Sequence, residues 1–167
     1  NIPESYQEVV QKNIITIEEF TLGKIKFDDK ILHRSRLLKY FNQEIDQKKA
    51  QKDFIKIYKK IKKNKKYFIS IKDIIVLESL VADGFSLPKG LDYSTLSSEL
   101  TAPGDLYELA DQNKVGLVML KIVEIIGEDN VQDLDPETIY FVNKILNKLN
   151  LKKIRNKILS EALPTRV

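Results

Sequence analysis

The chain has 167 residues, 43% of them hydrophobic and 31% charged, and a net charge of +4; that balance excludes wholesale disorder and is enough for one domain with a sizeable core or a short helical array. The absence of cysteine excludes disulfides, thiolate zinc sites and cysteine nucleophiles, and no apolar run approaches the roughly 18 residues of a membrane-spanning helix. The charge is polarised along the chain: residues 48–66 hold ten lysines against Asp53 alone, residues 99–137 hold ten acids against Lys114 and Lys121, and residues 144–167 are basic again.

The Asn1 start, with no basic-then-apolar leader, fits either a mature processed chain or a piece of a longer one; the linker-like Asn-Ile-Pro leads us to expect the second. Ser5 with Glu8 forms a capping box, predicting a helix from about Tyr6 to Asn13 that buries Tyr6, Val9 and Val10. Thr16 with Glu19 repeats the pattern. Phe20, Leu22, Ile25 and Phe27 alternate around Gly23, so residues 14–27 fit either a short hairpin or a short helix ending at Gly23, and we expect the helix. Asp28 or Asp29 is positioned to cap a helix running to about Asp46, with Ile31, Leu37, Leu38, Phe41 and Ile45 along one face.

A lysine-rich helix follows. Ala50, Phe54, Ile57, Tyr58 and Ile61 make its apolar stripe, and Lys48, Lys52, Lys56, Lys59, Lys60 and Lys63 occupy the other sides. The run from Lys62 to Lys66 breaks to a loop. Ser70 with Asp73 starts the next helix, whose Ile74, Ile75, Leu77, Leu80 and Val81 are so nearly all apolar that it should be central; Gly84 is its left-handed stop. Phe85 to Thr101 reads as a connector punctuated by Pro88 and Gly90, with one or two helical turns after Asp92. Asp105 with Glu108 opens a short helix through Leu106, Leu109 and Ala110. Lys114 to Ile126 is an apolar helix ended by Gly127, within which Gly116 would permit close approach of a neighbour. After the acidic loop Glu128–Leu134, Asp135 and Pro136 give the clearest helix start, with Ile139, Val142, Ile145, Leu146 and Leu149 as the buried stripe. Asn150 and Leu151 make a turn, and Lys152 to Leu163 is the last helix, using Ile154, Ile158, Leu159 and Ala162.

A shift of 65 residues lays the segment 54–82 on 119–147. Phe54 falls on Met119, Ile57 on Ile122, Ile61 on Ile126, Ser70 on Asp135, Ile74 on Ile139, Leu77 on Val142 and Leu80 on Ile145. The match is one of residue class, and it suits either an internal repeat of a helix, a polar link, an N-cap and a second helix or a chance alignment of two amphipathic helix pairs. The expected fold is therefore all-α: an irregular α-solenoid-like array of antiparallel helix pairs, seven to nine helices in a single domain over 1–167.

The sequence carries no nucleotide-binding glycine pattern, nucleophile elbow or zinc-protease motif, and no catalytic, cofactor or metal site is expected. His33, the lone histidine, has only Asp29 four residues before it, the spacing of an ordinary surface contact. The carboxylate pairs sit where capping accounts for them. The acidic loop before Asp135 lacks the glycine and terminal glutamate of a calcium-binding EF-hand loop. The lysine block is the strongest charge signal. Lys48, Lys52, Lys56, Lys59, Lys60 and Lys63 are the candidate contacts to nucleic acid or anionic lipid headgroups. Against that reading stand the absence of arginine from the block and of aromatics from its outer face, which favour a solvated helix face.

The run from Val115-Gly-Leu-Val-Met-Leu-Lys-Ile-Val-Glu-Ile-Ile-Gly127, through Asp135-Pro-Glu-Thr-Ile139, to Ile158-Leu-Ser-Glu-Ala-Leu163 resembles the C-terminal helices of large uncharacterised alphaproteobacterial helical-repeat proteins. The resemblance covers about a third of the chain and rests on helix punctuation. It implies an α-solenoid end piece, the C-terminal part of a longer exported or envelope-associated bacterial protein, and brings no catalytic residues. The expected function is a non-enzymatic protein–protein interaction or scaffold domain. The alternative is an anionic-surface binder, and self-association through the basic segment 48–66 and the acidic segment 99–137 is a further expectation.

Overall fold

The computed structural model describes residues 25–98, 100 and 104–164. Among them the chain is all-α, with no strand. Its elements are α1 (Leu38–Phe41), α2 (Gln47–Lys62), α3 (Ile71–Ala82), α4 (Ser94–Ser98), α5 (Gly104–Asp111), α6 (Val115–Ile126), α7 (Pro136–Lys148) and α8 (Lys152–Ala162), with 3-10 turns at Leu32–Arg34 and Val131–Asp133. The helices expected after Ser5 and Thr16 lie outside the described residues.

The helix starts follow their capping chemistry. Asp46 accepts the Lys49 N–H at 2.7 Å to begin α2. Ser70 and Asp73 form a reciprocal capping box on α3, each side chain taking a backbone N–H that would otherwise lack an acceptor. Asp135 accepts both the backbone N–H and the hydroxyl of Thr138, at 2.9 and 2.6 Å, with Pro136 in the first turn of α7. Gly84 closes α3 at a φ of +84°, a conformation that disfavours any residue with a Cβ.

Two hydrophobic cores result. The larger gathers Leu37, Phe41, Phe54, Ile57, Leu77 and Leu80 with Ile139, Tyr140 and Leu159. The smaller gathers Leu106, Ala110, Val118 and Ile122 with Val142, Ile145 and Leu146. Thus α7 supplies one edge to each core. Its most extensive partner is α3. Residues Ile74 to Leu77 of α3 are all buried, as a helix covered on several sides requires.

Four expectations are corrected. The single helix from Asp28 or Asp29 to Asp46 is replaced by a 3-10 turn and the short α1. Asp28 accepts the N–H of Lys30 at 2.9 Å and folds back on the loop, while Asp29 accepts the N–H of Arg36 and pairs with Lys60. The Ser35 hydroxyl donates to the Leu32 carbonyl, ending the first turn, and Gln43, at φ +59°, ends the second. Asp105 lies inside α5, which begins at Gly104, and accepts the adjacent Leu106 N–H at 2.9 Å. Gly116 faces open space among the described residues, where a Cβ would meet nothing within 4 Å, so none of them exploits its small size. In α8, Ile154 is exposed and Arg155 is buried in its place.

Candidate functional site

On α2 the apolar residues Ala50, Phe54, Ile57 and Ile61 face the core. Helical geometry then turns Lys48, Lys52, Lys56, Lys59 and Lys63 outward, and all of these, with Lys60, are exposed. Of the ten lysines in 48–66, Lys60 alone makes an ion pair among the described residues, to Asp29 at 3.0 Å. Asp53, the only acid of that segment, faces Arg36 at 3.6 Å. No ion pair joins the basic segment 48–66 to the acidic segment 99–137 among the described residues; within the described acidic segment Asp111 pairs with Lys148 and Glu124 with Lys121.

The lone histidine is held by a partner that its sequence neighbourhood does not reveal. Asp73 is 1% exposed. One of its carboxylate oxygens lies 2.7 Å from His33 Nδ1 and accepts the His33 backbone N–H at 3.0 Å. The other accepts the Tyr67 hydroxyl at 2.7 Å and the Ser70 backbone N–H at 2.9 Å. Burial pushes the Asp73 carboxyl up, but His33, the Ser70 N–H and Tyr67 outweigh it and leave the group below the usual aspartate range. Burial also raises the Tyr67 hydroxyl, with Asp73 adding to the effect.

A serine, a histidine and an aspartate in contact invite comparison with a nucleophilic triad, and the geometry argues against one. Ser70 Oγ lies 3.4 Å from Nδ1, the ring nitrogen Asp73 already occupies. A triad places the hydroxyl on the opposite nitrogen. Ser70 Oγ instead accepts the Asp73 N–H as a helix cap. Tyr67 also borders a cleft of about 220 Å³ walled by Leu32, Ile61, Ile69 and Leu91, with Lys62 and Asp92 at its lining. That volume falls below the roughly 300–1,000 Å³ of small-molecule sites.

Two further polar clusters escape sequence reasoning. Arg155, 2% exposed, donates to Asp83 at 2.6 Å, Asn147 at 2.8 Å and Asn156 at 2.7 Å. Asp83 also accepts the Tyr40 hydroxyl at 2.9 Å and faces Lys152 at 3.3 Å. The cluster ties the end of α3 to α8 and is closed by its own hydrogen bonds. At the second, Tyr140 donates to Glu78 at 3.2 Å and accepts from Lys144 at 3.1 Å. Burial holds the Glu78 carboxyl above its usual value in spite of Lys144. Asp83 marks a helix end and Glu78 an acid among apolar residues, both visible in the sequence; their partners, from 43 to 72 residues away, carried no signal.

The remaining feature is apolar. α6 buries Val118 and Ile122, yet its outer side exposes Leu117 at 50%, Leu120 at 68% and Val123 at 61%. Their spacing of three residues places them along one side of the helix, bordered by the ion pair of Lys121 with Glu124 at 3.6 Å. Comparison of the chain with protein-family models, with curated proteins and with solved structures gives no match.

Proposed function

We propose that this chain is a non-enzymatic helical interaction domain that binds another protein through the outer side of α6. The observation that carries the reading is the line of Leu117, Leu120 and Val123, all at least half exposed on a helix apolar on both sides. A helix of that kind is ordinarily covered on both sides, and three adjacent large apolar side chains are a surface whose burial against a partner is favourable by about 25 cal/mol per Å². The polar clusters point the same way, because their donors and acceptors are spent on holding helices together.

The wider architecture we infer is a solenoid-like end piece built from repeated helix pairs. Supporting it, the caps Ser70 and Asp135 stand 65 residues apart, and α3 shifted by that distance coincides with all but the last residue of α7. Corresponding turns of the two helices also lie together: Ser79 hydrogen-bonds Asn143 at 2.7 Å, and Glu78 feels the charge of Lys144. Stacked copies bring matching turns into contact in this way.

The test places a photo-crosslinking residue at position 120 in the native host, with position 153 on exposed α8 as the control. The expected result is a discrete adduct from position 120 that is absent from 153 and lost when Leu117 is changed to Asp. Equal labelling from the two positions, or none from 120, would overturn the assignment of α6 as the binding face.

A further inference from the structure

We propose that the lysine edge formed by α2 and the loop after it docks on an anionic lipid bilayer, with Ile55 and Phe68 as its apolar contacts. The proposal concerns a second surface and goes beyond the protein-binding reading. Lys48, Lys52, Ile55, Lys59 and Lys62 are spaced 4, 3, 4 and 3 residues apart and form one stripe, opposite the buried Ala50, Phe54, Ile57 and Ile61. The stripe runs about 21 Å along the helix. Lys63, Lys65 and Lys66, which follow the stripe in sequence, are exposed as well. Phe68 follows at 86% exposure, while Tyr67 and Ile69 on either side of it pack against the core.

Lysines three and four residues apart on a helix repel one another, and a surface serving solubility alone intersperses both signs. A single-sign field of ten lysines with one ion pair among the described residues is relieved by an external anionic surface. The side chains present favour lipid among such surfaces. Lysine is a point charge, without the fork that arginine offers to phosphodiesters and base edges. Ile55, 42% exposed in the middle of the stripe, offers no aromatic face for stacking on a base, and the exposed aromatic Phe68 lies beyond the helix, in the loop. Both Ile55 and Phe68 gain by entering the boundary between headgroups and acyl chains, which basic amphipathic surfaces use.

The experiment is flotation of the chain with vesicles of phosphatidylcholine alone or with added phosphatidylserine, at low and physiological salt. Binding is expected only with phosphatidylserine and should fall as salt rises. Lys52→Gln and Lys59→Gln should each weaken it about fivefold. Phe68→Ser, at a site outside the core, should weaken vesicle binding roughly tenfold while leaving retention on heparin unchanged. Absence of binding to phosphatidylserine vesicles at low salt overturns the proposal, as does vesicle binding indifferent to Phe68→Ser. A preference for duplex DNA over the vesicles at matched phosphate concentration overturns it in favour of nucleic acid. Leu120→Asp should not alter vesicle binding, so this proposal and the α6 reading fail separately.

Discussion

Asp73 and Glu78 sit five residues apart on one helix and respond to pH in opposite senses. The Asp73 carboxyl is depressed in the folded chain, so its contribution to stability is whole above the ordinary aspartate value of about 3.9 and is lost as pH falls through the lower folded value. Asp73→Asn should therefore lower the urea midpoint at pH 7, and its deficit should shrink below pH 4. Glu78 is raised, so its contribution is whole below the ordinary glutamate value of about 4.3 and is lost as pH rises through the folded value. Glu78→Gln should match or exceed the parent at pH 7 and lose that advantage in acid. Urea titrations of both variants at the two pH values check the pair; a parallel response would show that burial and hydrogen bonding have been misassigned. A third residue, Asp83, is the acceptor that makes the buried Arg155 tolerable. Asp83→Ala should cost about 3–5 kcal/mol, and the double change Asp83→Leu with Arg155→Met should recover much of it, because the uncompensated charge leaves with its partner.

At the scale of the helix, legibility followed local chemistry. Ser70 with Asp73 and Asp135 with Pro136 announce their helices because cap, proline and acid lie within four residues of one another. Asp135→Ala should lower stability by about 1 kcal/mol in urea denaturation, the usual value of an N-cap. The segment from Asp28 to Asp46 was misread because its breaks have no local mark. Gln43 takes a positive φ normally associated with glycine or asparagine, whereas the turns at Asn113 and Asn150 use the expected residue. In α8 the helical spacing favoured Ile154 as a core residue, and only the arrival of Asp83 from 72 residues away brings Arg155 inside. His33 was paired in the sequence with Asp29, four residues off; its contact is Asp73, reached once α3 packs against the Leu32–Arg34 turn. The outward lysines of α2 were fully legible, since periodicity alone fixes which side of a helix faces the core.

For the whole molecule, the helical class and the central place of α3 followed from pattern, while the division of the core between two clusters did not. Periodicity says that Ile139, Val142 and Ile145 are inside; it does not say that Ile139 belongs to one cluster and Val142 to the other. The arrangement that results leaves each cluster incomplete without the segment Pro136–Lys148. Neither half of the molecule can then melt while that rod stays docked on the other, and the described helices should lose structure together rather than in turn. Amide hydrogen exchange offers a direct reading. The slowest protons should lie between Tyr140 and Leu146 and in the facing turns from Ile74 to Leu80, with a common opening free energy, whereas an early-exchanging Tyr140–Leu146 segment would mean that the two clusters are held together elsewhere. A partner gripping the exposed leucines, or a charged surface drawn to the lysines, would accordingly feel through this one rod whether the far side of the molecule is intact.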